Sequence, residues 1–373
     1  MPGVDVVLRR TLSRARSLIA ERRVRSAIEV SGRDARGAEV VIFFAEPVGQ
    51  FYQLGVWLPV FERLAERGVR VGLILKDALS AREAMARSSL PVYFSRSMQS
   101  IEQRLEQDGT RVICYVNNAQ ANFTMLRWTG SAHVHLNHGE SEKASMVSNQ
   151  LKAYDVAAVA GTAAIERIAQ NIPRFELSHA VAIGRPQLDA LPARPARGSK
   201  LRVLYAPTWE GDSQAMAYSS IPTHGRAILE ELRGVAGIEL IFRPHPKTGD
   251  VSGAVRREIT QLRKEFADVL DERSDPGVLL NDADVAICDI SAMAYDALAL
   301  NIPLLLVGER DCQLRRRLPA QQLLSAQAPV AATVRTLAEA GVSAQQAELA
   351  SYFFASTEKG RSTELLHELL ERL

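Results

Sequence analysis

Short runs of β-branched and aliphatic residues alternate along the chain with stretches whose apolar positions recur at helical spacing. Val40–Phe44 is followed by an amphipathic stretch from about Phe51 to Arg67, closed by Gly68, and then by Val69–Leu75. Helical spacing over 77–88 leads to Val92–Phe94, and helical spacing over 97–107 leads to Arg111–Val116. Ala132–Leu136, Val156–Ala160 and Ala180–Ile183 complete a first set of apolar runs. Such runs, bounded by Gly, Asn or Asp and separated by helical stretches, predict βαβ units and a parallel sheet buried on both faces. Leu191–Gly198 interrupts the pattern with Pro, Arg and Gly and reads as a linker. The alternation restarts with Leu201–Ala206, a helix near 223–234, Ile238–Phe242 and a helix near 251–266. Val285–Cys288, a helix over 291–300 and Pro303–Val307 follow, and Ser362–Leu373 is helical by period. The chain therefore reads as α/β, in two doubly wound halves hinged near 191–199. The expected division is an arm over 1–30, a first half over 31–192 and a second over 199–355. The last segment, 356–373, is a helix that could cross back to the first half.

Length agrees, since 373 residues suit about two domains of ordinary size. At 47% hydrophobic and 24% charged, the composition is that of a globular chain and excludes disordered, collagenous and disulfide-scaffold proteins. The net charge of +2 is too balanced to argue for nucleic acid. Its distribution is uneven: residues 1–30 hold seven arginines against Asp5, Glu21 and Glu29, so the remainder sums to −2. Leu8, Leu12, Ala15 and Ile19 fall on one helical face of that arm and the early arginines lie off it, a pattern suited to an anionic membrane surface, to a solvated or partner-packed helix, or to an organellar transit peptide. No stretch approaches the ~20 apolar residues of a membrane span, and no signal-peptide core follows the first basic residues. Cys114, Cys288 and Cys312 form no CxxC pair, two of them sit in strand-like runs, and a reducing cytoplasm is the expected compartment. No His/Cys group has zinc spacing, and Asp275 with Asp282 lacks a second acidic cluster.

In open parallel sheets ligands bind beyond the carboxyl ends of the strands, so the residues just after each apolar run carry the candidate chemistry. His138-Gly139 follows Ala132–Leu136, and an imidazole at that rim can act as a general base or cap a turn. His133 and His135 alternate within the strand and read as packing residues. Arg243-Pro-His245-Pro-Lys247 follows Ile238–Phe242 at once, a rigid cationic cluster suited to an anion or simply a charged loop. Asp289-Ile-Ser291 ends another strand, with Ser291 as a helix N-cap whose free N–H groups could hold an anion. Asp296, further into that helix, could accept a ribose hydroxyl or remain a solvated charge. Tyr205-Ala-Pro-Thr208-Trp209 ends a fourth strand, with Trp209 covering the hinge or packing over a base. No GxGxxG follows a strand and no GxxxxGK[ST] occurs, which disfavours nicotinamide and P-loop enzymes.

Taken together, these motifs resemble the CDP-glycerol glycerophosphotransferase family of teichoic-acid and capsule synthesis. The matching residues are His138, Gly139 and Lys143; Gly184, Pro186 and Asp189; Tyr205 to Trp209; Arg243 to Pro246; Asp289, Ser291 and Asp296; and Lys359, Gly360 and Ser362. They span about residues 130–373 in the family's order. Asn137 stands where the family usually has Trp, Glu140-Ser141 replaces Thr-Pro, Gln187-Leu188 replaces Arg-Asn, Glu210 replaces Arg, and the paired serines become Ser291-Ala292.

The resemblance implies a GT-B architecture: two Rossmann-like domains facing across a cleft, the first for the acceptor and the second for the nucleotide, with no metal and no cofactor. It implies attack by a hydroxyl of a polymer or lipid-linked acceptor on a CDP-alditol donor, with release of CMP. His138 and His245 would be catalytic, with Gly139 and Lys143 on the acceptor side. Arg243, Thr208, Ser291, Asp296, Lys359 and Gly360 would bind the nucleotide and its phosphates. The expected setting is cytoplasmic, peripheral at the inner face of the plasma membrane. Two other readings are open: a GT-B nucleotide-sugar transferase or epimerase, and a non-catalytic nucleotide-binding regulator.

Overall fold

The computed structural model describes residues 18–143, 146–211, 217–325 and 328–373. Strands β1 (Val40–Phe44), β2 (Val71–Leu75), β3 (Val92–Phe94), β4 (Val112–Tyr115), β5 (Ala132–His135), β6 (Val156–Val159) and β7 (Ala180–Ala182) form one sheet in the order β3-β2-β1-β4-β5-β6-β7. Every pairing in it is parallel. Strands β8 (Leu201–Ala206), β9 (Ile238–Phe242), β10 (Val285–Asp289) and β11 (Leu304–Val307) form a second parallel sheet in the order β11-β10-β8-β9. Every residue of β1, β2, β4, β10 and β11 is buried, as expected of strands covered by helices on both faces.

Each sheet reverses its strand order once, between β1 and β4 in the first and between β8 and β10 in the second. A crevice opens at such switch points because successive crossovers pass to opposite faces. The loops after β1 and β4, and those after β8 and β10, therefore flank the two crevices.

Local differences from the sequence pattern have local causes. The stretch 51–67 is two helices, Tyr52–Gly55 and Leu58–Glu66, and Pro59 sits in the first turn of the second, where its missing N–H costs nothing. Near 223–234 the chain makes a wide turn over Ile221–Gly225 before the helix Arg226–Leu232. Helices Thr162–Asn171, Val330–Ala340 and Ala344–Phe353 were not evident from apolar spacing. Alanine supplies many of their helical positions, and its small side chain gives little apolar contrast.

The halves share core. Leu366, Leu369 and Leu370 of the C-terminal helix Arg361–Arg372 pack with Trp57, Phe61 and Leu64 in the first half. Phe353 and Phe354 join Ala160 and Ala163 in a cluster that continues under β10 and β11. Residues 18–31 are helical and bury Val24 and Ile28 in the first core, leaving Leu18, Ile19 and Val30 exposed. Leu8, Leu12 and Ala15 of the proposed membrane face lie outside the described residues. Among the described residues no helix is long and apolar enough to cross a membrane.

Candidate functional site

The turn after β5 carries His138. Asn137 takes the left-handed conformation (φ 58°), which Asn tolerates better than most residues, and its Oδ1 accepts the His138 N–H at 2.8 Å. Trp57 Nε1 donates to the Asn137 carbonyl at 2.5 Å, fixing the turn to the first core. The Val116 carbonyl receives a hydrogen bond from the His138 ring, while Nδ1 has no partner. That leaves a lone pair on Nδ1, the arrangement a proton acceptor requires. Burial first, then the Arg185 and Lys247 charges, lower the His138 pKa to about 4, so the ring is neutral.

The turn after β9 carries His245 between two prolines. Its Nδ1 accepts the Lys247 N–H at 3.1 Å, and Thr248 N donates to its carbonyl at 2.9 Å. With Nδ1 accepting, the proton sits on Nε2, free to donate to an oxygen. Burial and the nearby Lys143, Lys247 and Arg243 charges lower its pKa to about 3.

Both imidazoles flank one phenol ring. Tyr52, from the helix after β1, is edge-on to His138 at 5.8 Å and to His245 at 6.3 Å between centroids. Trp209 stacks on His245 at 6.2 Å between centroids, so its indole belongs to the cleft. Lys247 Nζ lies 5.3 Å from the Trp209 ring and 5.9 Å from the Tyr52 ring. Arg243 has an unpartnered buried Nε, and burial lowers its pKa. Lys143 reaches from the first half to donate to Thr208 Oγ1 at 3.3 Å. The two halves thus present neutral imidazoles and cationic side chains to a shared space.

Ser291 is the N-cap of helix Ala292–Ala299, yet its buried Oγ caps nothing and has no partner. A Cβ on Gly139 would sit 3.2 Å from Ala292 Cβ, so the His138 turn lies directly against that helix start and glycine permits the approach. Asp289 closes the arrangement from below: its Oδ2 accepts the N–H of Thr208 at 2.8 Å and of Ser220 at 3.0 Å, tying the end of β10 to the segment after β8. Burial raises its pKa to about 7.

Three of the expected phosphate or ribose residues have partners within the protein. Asp296 meets Arg185 in a two-pronged buried ion pair at 2.8 and 2.9 Å, leaving a ribose only its remaining lone pairs. Lys359 Nζ donates to the Leu191 and Pro192 carbonyls at 3.0 and 3.2 Å, and Gly360 N donates to Asp189 Oδ1 at 2.7 Å. Asp189 also takes the Thr363 N–H and hydroxyl, and Ser362 Oγ accepts the Arg185 N–H at 3.1 Å. Gly184, at φ +72°, has no side chain in the space that Ser362 Oγ fills. The motifs around Gly184 and Lys359 therefore form a clasp of hinge, C-terminal helix and second half.

Sequence reasoning missed Tyr52, Glu142 and Arg185. Glu142 accepts the Tyr295 hydroxyl at 2.9 Å and the backbone N–H groups of Gln313 and Leu314 at 3.0 and 2.9 Å, bolting the His138 loop to the second half. Only its place four residues after His138 could have drawn attention to it. Glu210, where the family usually has Arg, accepts N–H groups from Gly249, Val251 and Ser252, anchoring the loop behind His245. Burial opposes its ionisation, but these bonds prevail and lower its pKa. Among the described residues no His, Cys, Asp or Glu group could hold a metal ion.

His133 is a packing residue: its Nδ1 meets the Tyr115 hydroxyl and its Nε2 the Trp128 carbonyl, each at 2.7 Å. His135 is buried against Tyr154 with its pKa lowered to about 3 by burial. Its unfolded value is near 6.5, so the unfolded chain takes up the proton first and stability falls as pH drops below that value. His135→Gln is expected to remove a slope of about 1.4 kcal/mol per pH unit between pH 4 and 6. Urea titrations across that range measure it; an unchanged slope would mean His135 is not held neutral.

The fold has known counterparts. The wall teichoic acid polymerase TagF superposes with a TM-score of 0.57 at 13% identity, covering 98% of this chain and 97% of that one. The UDP-GlcNAc 2-epimerase from Neisseria meningitidis, bound to UDP-GlcNAc, gives 0.55 at 11% identity, covering 90% and 100%. The architecture is accordingly GT-B. Comparison with curated proteins finds no match. The model of the CDP-glycerol:poly(glycerophosphate) glycerophosphotransferase family matches residues 110–311, more than half of the chain, from the start of β4 to just past β11. With both cleft histidines inside that span, this chain belongs to the CDP-glycerol:poly(glycerophosphate) glycerophosphotransferase family.

Proposed function

We propose that the protein transfers glycerol phosphate from CDP-glycerol to a hydroxyl of a cell-wall or capsule polymer, or of its lipid-linked precursor, and releases CMP. The observation that carries this reading is the pair of neutral imidazoles in contact with Tyr52, one from each half, with Lys143, Arg243 and Lys247 nearby. The acceptor oxygen attacks the phosphorus bonded to glycerol while His138 Nδ1 takes the hydroxyl proton. The bond from that phosphorus to the bridging oxygen breaks, and CMP departs with the electron pair. His245 Nε2 donates to a phosphate oxygen, and the three cations offset the charge that grows on CMP. Fixed donors in a dry cleft stabilise such charge because they need not reorient during the reaction. Ser291 Oγ and the first N–H groups of its helix add donors on the nucleotide side.

In this reading the enzyme works in the cytoplasm at the inner face of the membrane, with the arginines of residues 1–30 against anionic lipid. CDP-glycerol, CDP-ribitol and UDP-GlcNAc offered in parallel test it by mass analysis of products. CMP release that requires an acceptor is expected with CDP-glycerol, and it should persist in excess EDTA because side chains supply the positive charge. UDP release, epimer formation or binding without turnover would overturn the reading.

A further inference from the structure

The Tyr52 hydroxyl has a proton that no group among the described residues accepts, and a series of side-chain amides explains why. Asn117 follows β4, beside the point where the first sheet reverses its strand order. Its Oδ1 accepts the Ala119 N–H at 3.3 Å. A backbone N–H can only donate, so that bond orients the Asn117 amide and leaves Nδ2 as its donor. Nδ2 donates to Gln53 Oε1 at 2.8 Å, which turns Gln53 Nε2 towards the Tyr52 oxygen, 3.3 Å away. Within the protein the Tyr52 oxygen is therefore an acceptor, and its own proton is left for a ligand. Each bond in such a series polarises the next, which strengthens the phenol as a donor. Burial raises the Tyr52 pKa, so the proton stays on the oxygen at working pH.

The surroundings specify what receives that bond. Lys247 Nζ lies 5.9 Å from the Tyr52 ring, and the charges of Lys143, Lys247 and Arg243 all act on His245, whose ring Tyr52 meets. An acceptor carrying negative charge is favoured in such a field over a neutral one. Position narrows the choice further. Tyr52 meets His138, which the transfer reading sets beside the attacking oxygen, and His245, which it sets on a donor phosphate. The phosphorus that lies between attacking oxygen and nucleotide is the one bonded to glycerol.

We propose that Tyr52 is a further catalytic residue, its hydroxyl donating a hydrogen bond to a non-bridging oxygen of the glycerol-linked phosphate. The assignment rests on the transfer reading above, yet Tyr52 lies ahead of residues 110–311, the span that matches the family. Tyr52 keeps its proton throughout, and no bond to it forms or breaks covalently. It opposes the charge on the transferred group from a fixed position, as an oxyanion donor does.

Tyr52→Phe removes the hydroxyl and keeps the ring that meets both imidazoles, so the melting temperature should stay level. Calorimetry with CDP and CMP reads the contact without turnover, because only CDP carries the second phosphate. CDP affinity is expected to fall about ten- to a hundredfold, as for one hydrogen bond to a charged group, with CMP affinity unchanged. In the transfer assay kcat/KM for CDP-glycerol should fall by a similar factor while the acceptor KM holds. Gln53→Leu, which frees the phenol to turn, should shift the same quantities in the same direction by less. Equal CDP affinity in wild type and Tyr52→Phe, an equal loss for CDP and CMP, a raised acceptor KM with CDP affinity intact, or no CDP binding by the wild type would overturn the proposal. Selective loss of CDP affinity in Tyr52→Phe, with no acceptor-dependent CMP release from the wild type, would support the phosphate contact and count against the transfer reading alone.

Discussion

His138→Ala is expected to slow CMP release by about 10²–10⁴, the usual cost of losing a general base, while CMP still binds. His245→Ala should do the reverse at the binding step, weakening CMP by about 1–3 kcal/mol through loss of a hydrogen bond to a charged group. Calorimetry with CMP beside initial rates tests both together. Loss of nucleotide affinity in His138→Ala with retention in His245→Ala would show that the roles are exchanged. Undiminished turnover in both would remove them from the chemistry. The pH profile adds a second reading of the same assignment. The base is the unprotonated ring, and in the free protein burial and nearby cations hold its pKa at about 4. The acid limb of kcat/KM, which reports the free enzyme, should therefore lie well below pH 6.5. Bound donor brings negative charge opposite those cations and raises the His138 pKa, so the acid limb of kcat should lie higher. Coincident limbs would mean that the donor phosphates do not face His138.

Asp296→Ala is expected to destabilise the folded protein by about 3–5 kcal/mol, because it leaves the Arg185 guanidinium buried without its carboxylate. The pair joins the end of β7 to helix Ala292–Ala299 at 2.8 and 2.9 Å, so its loss loosens the two halves as well as the local packing. Replacing both partners, Arg185→Met with Asp296→Leu, should recover most of the loss by removing the uncompensated charge. Urea unfolding followed by fluorescence measures the midpoints of the single and double variants. A single variant that unfolds with the wild type would show that the pair is solvated, and a double variant no better than the single would show that charge is not the cause.

Much of the site was legible because its groups are local in sequence. His138-Gly139 and Arg243-Pro-His245 each follow an apolar run directly, and the strands of a parallel sheet direct their carboxyl ends to one rim. Reading the rim residues therefore singled out both histidines, Thr208 and Ser291, and the family resemblance added Lys143. Tyr52 was not found, because its stretch reads as an ordinary amphipathic helix and nothing within it marks a residue that will stand between two imidazoles. Asp296 looked like a free carboxylate for the same reason: its partner is Arg185, 111 residues away.

The sequence by itself determined the alternation of strand and helix, the parallel sheets and the residues placed at their rims. Burial period and turn chemistry act over a few residues and are written into each short segment. Only the tertiary structure decided which rim groups meet. The Tyr52 bridge, the Arg185–Asp296 clasp and the Glu142 bolt each join distant segments across the hinge. Whether a charge ends in a ligand site or in an ion pair depends on how the two halves face one another, and that comes from the packing of whole sheets and helices, which no local pattern encodes.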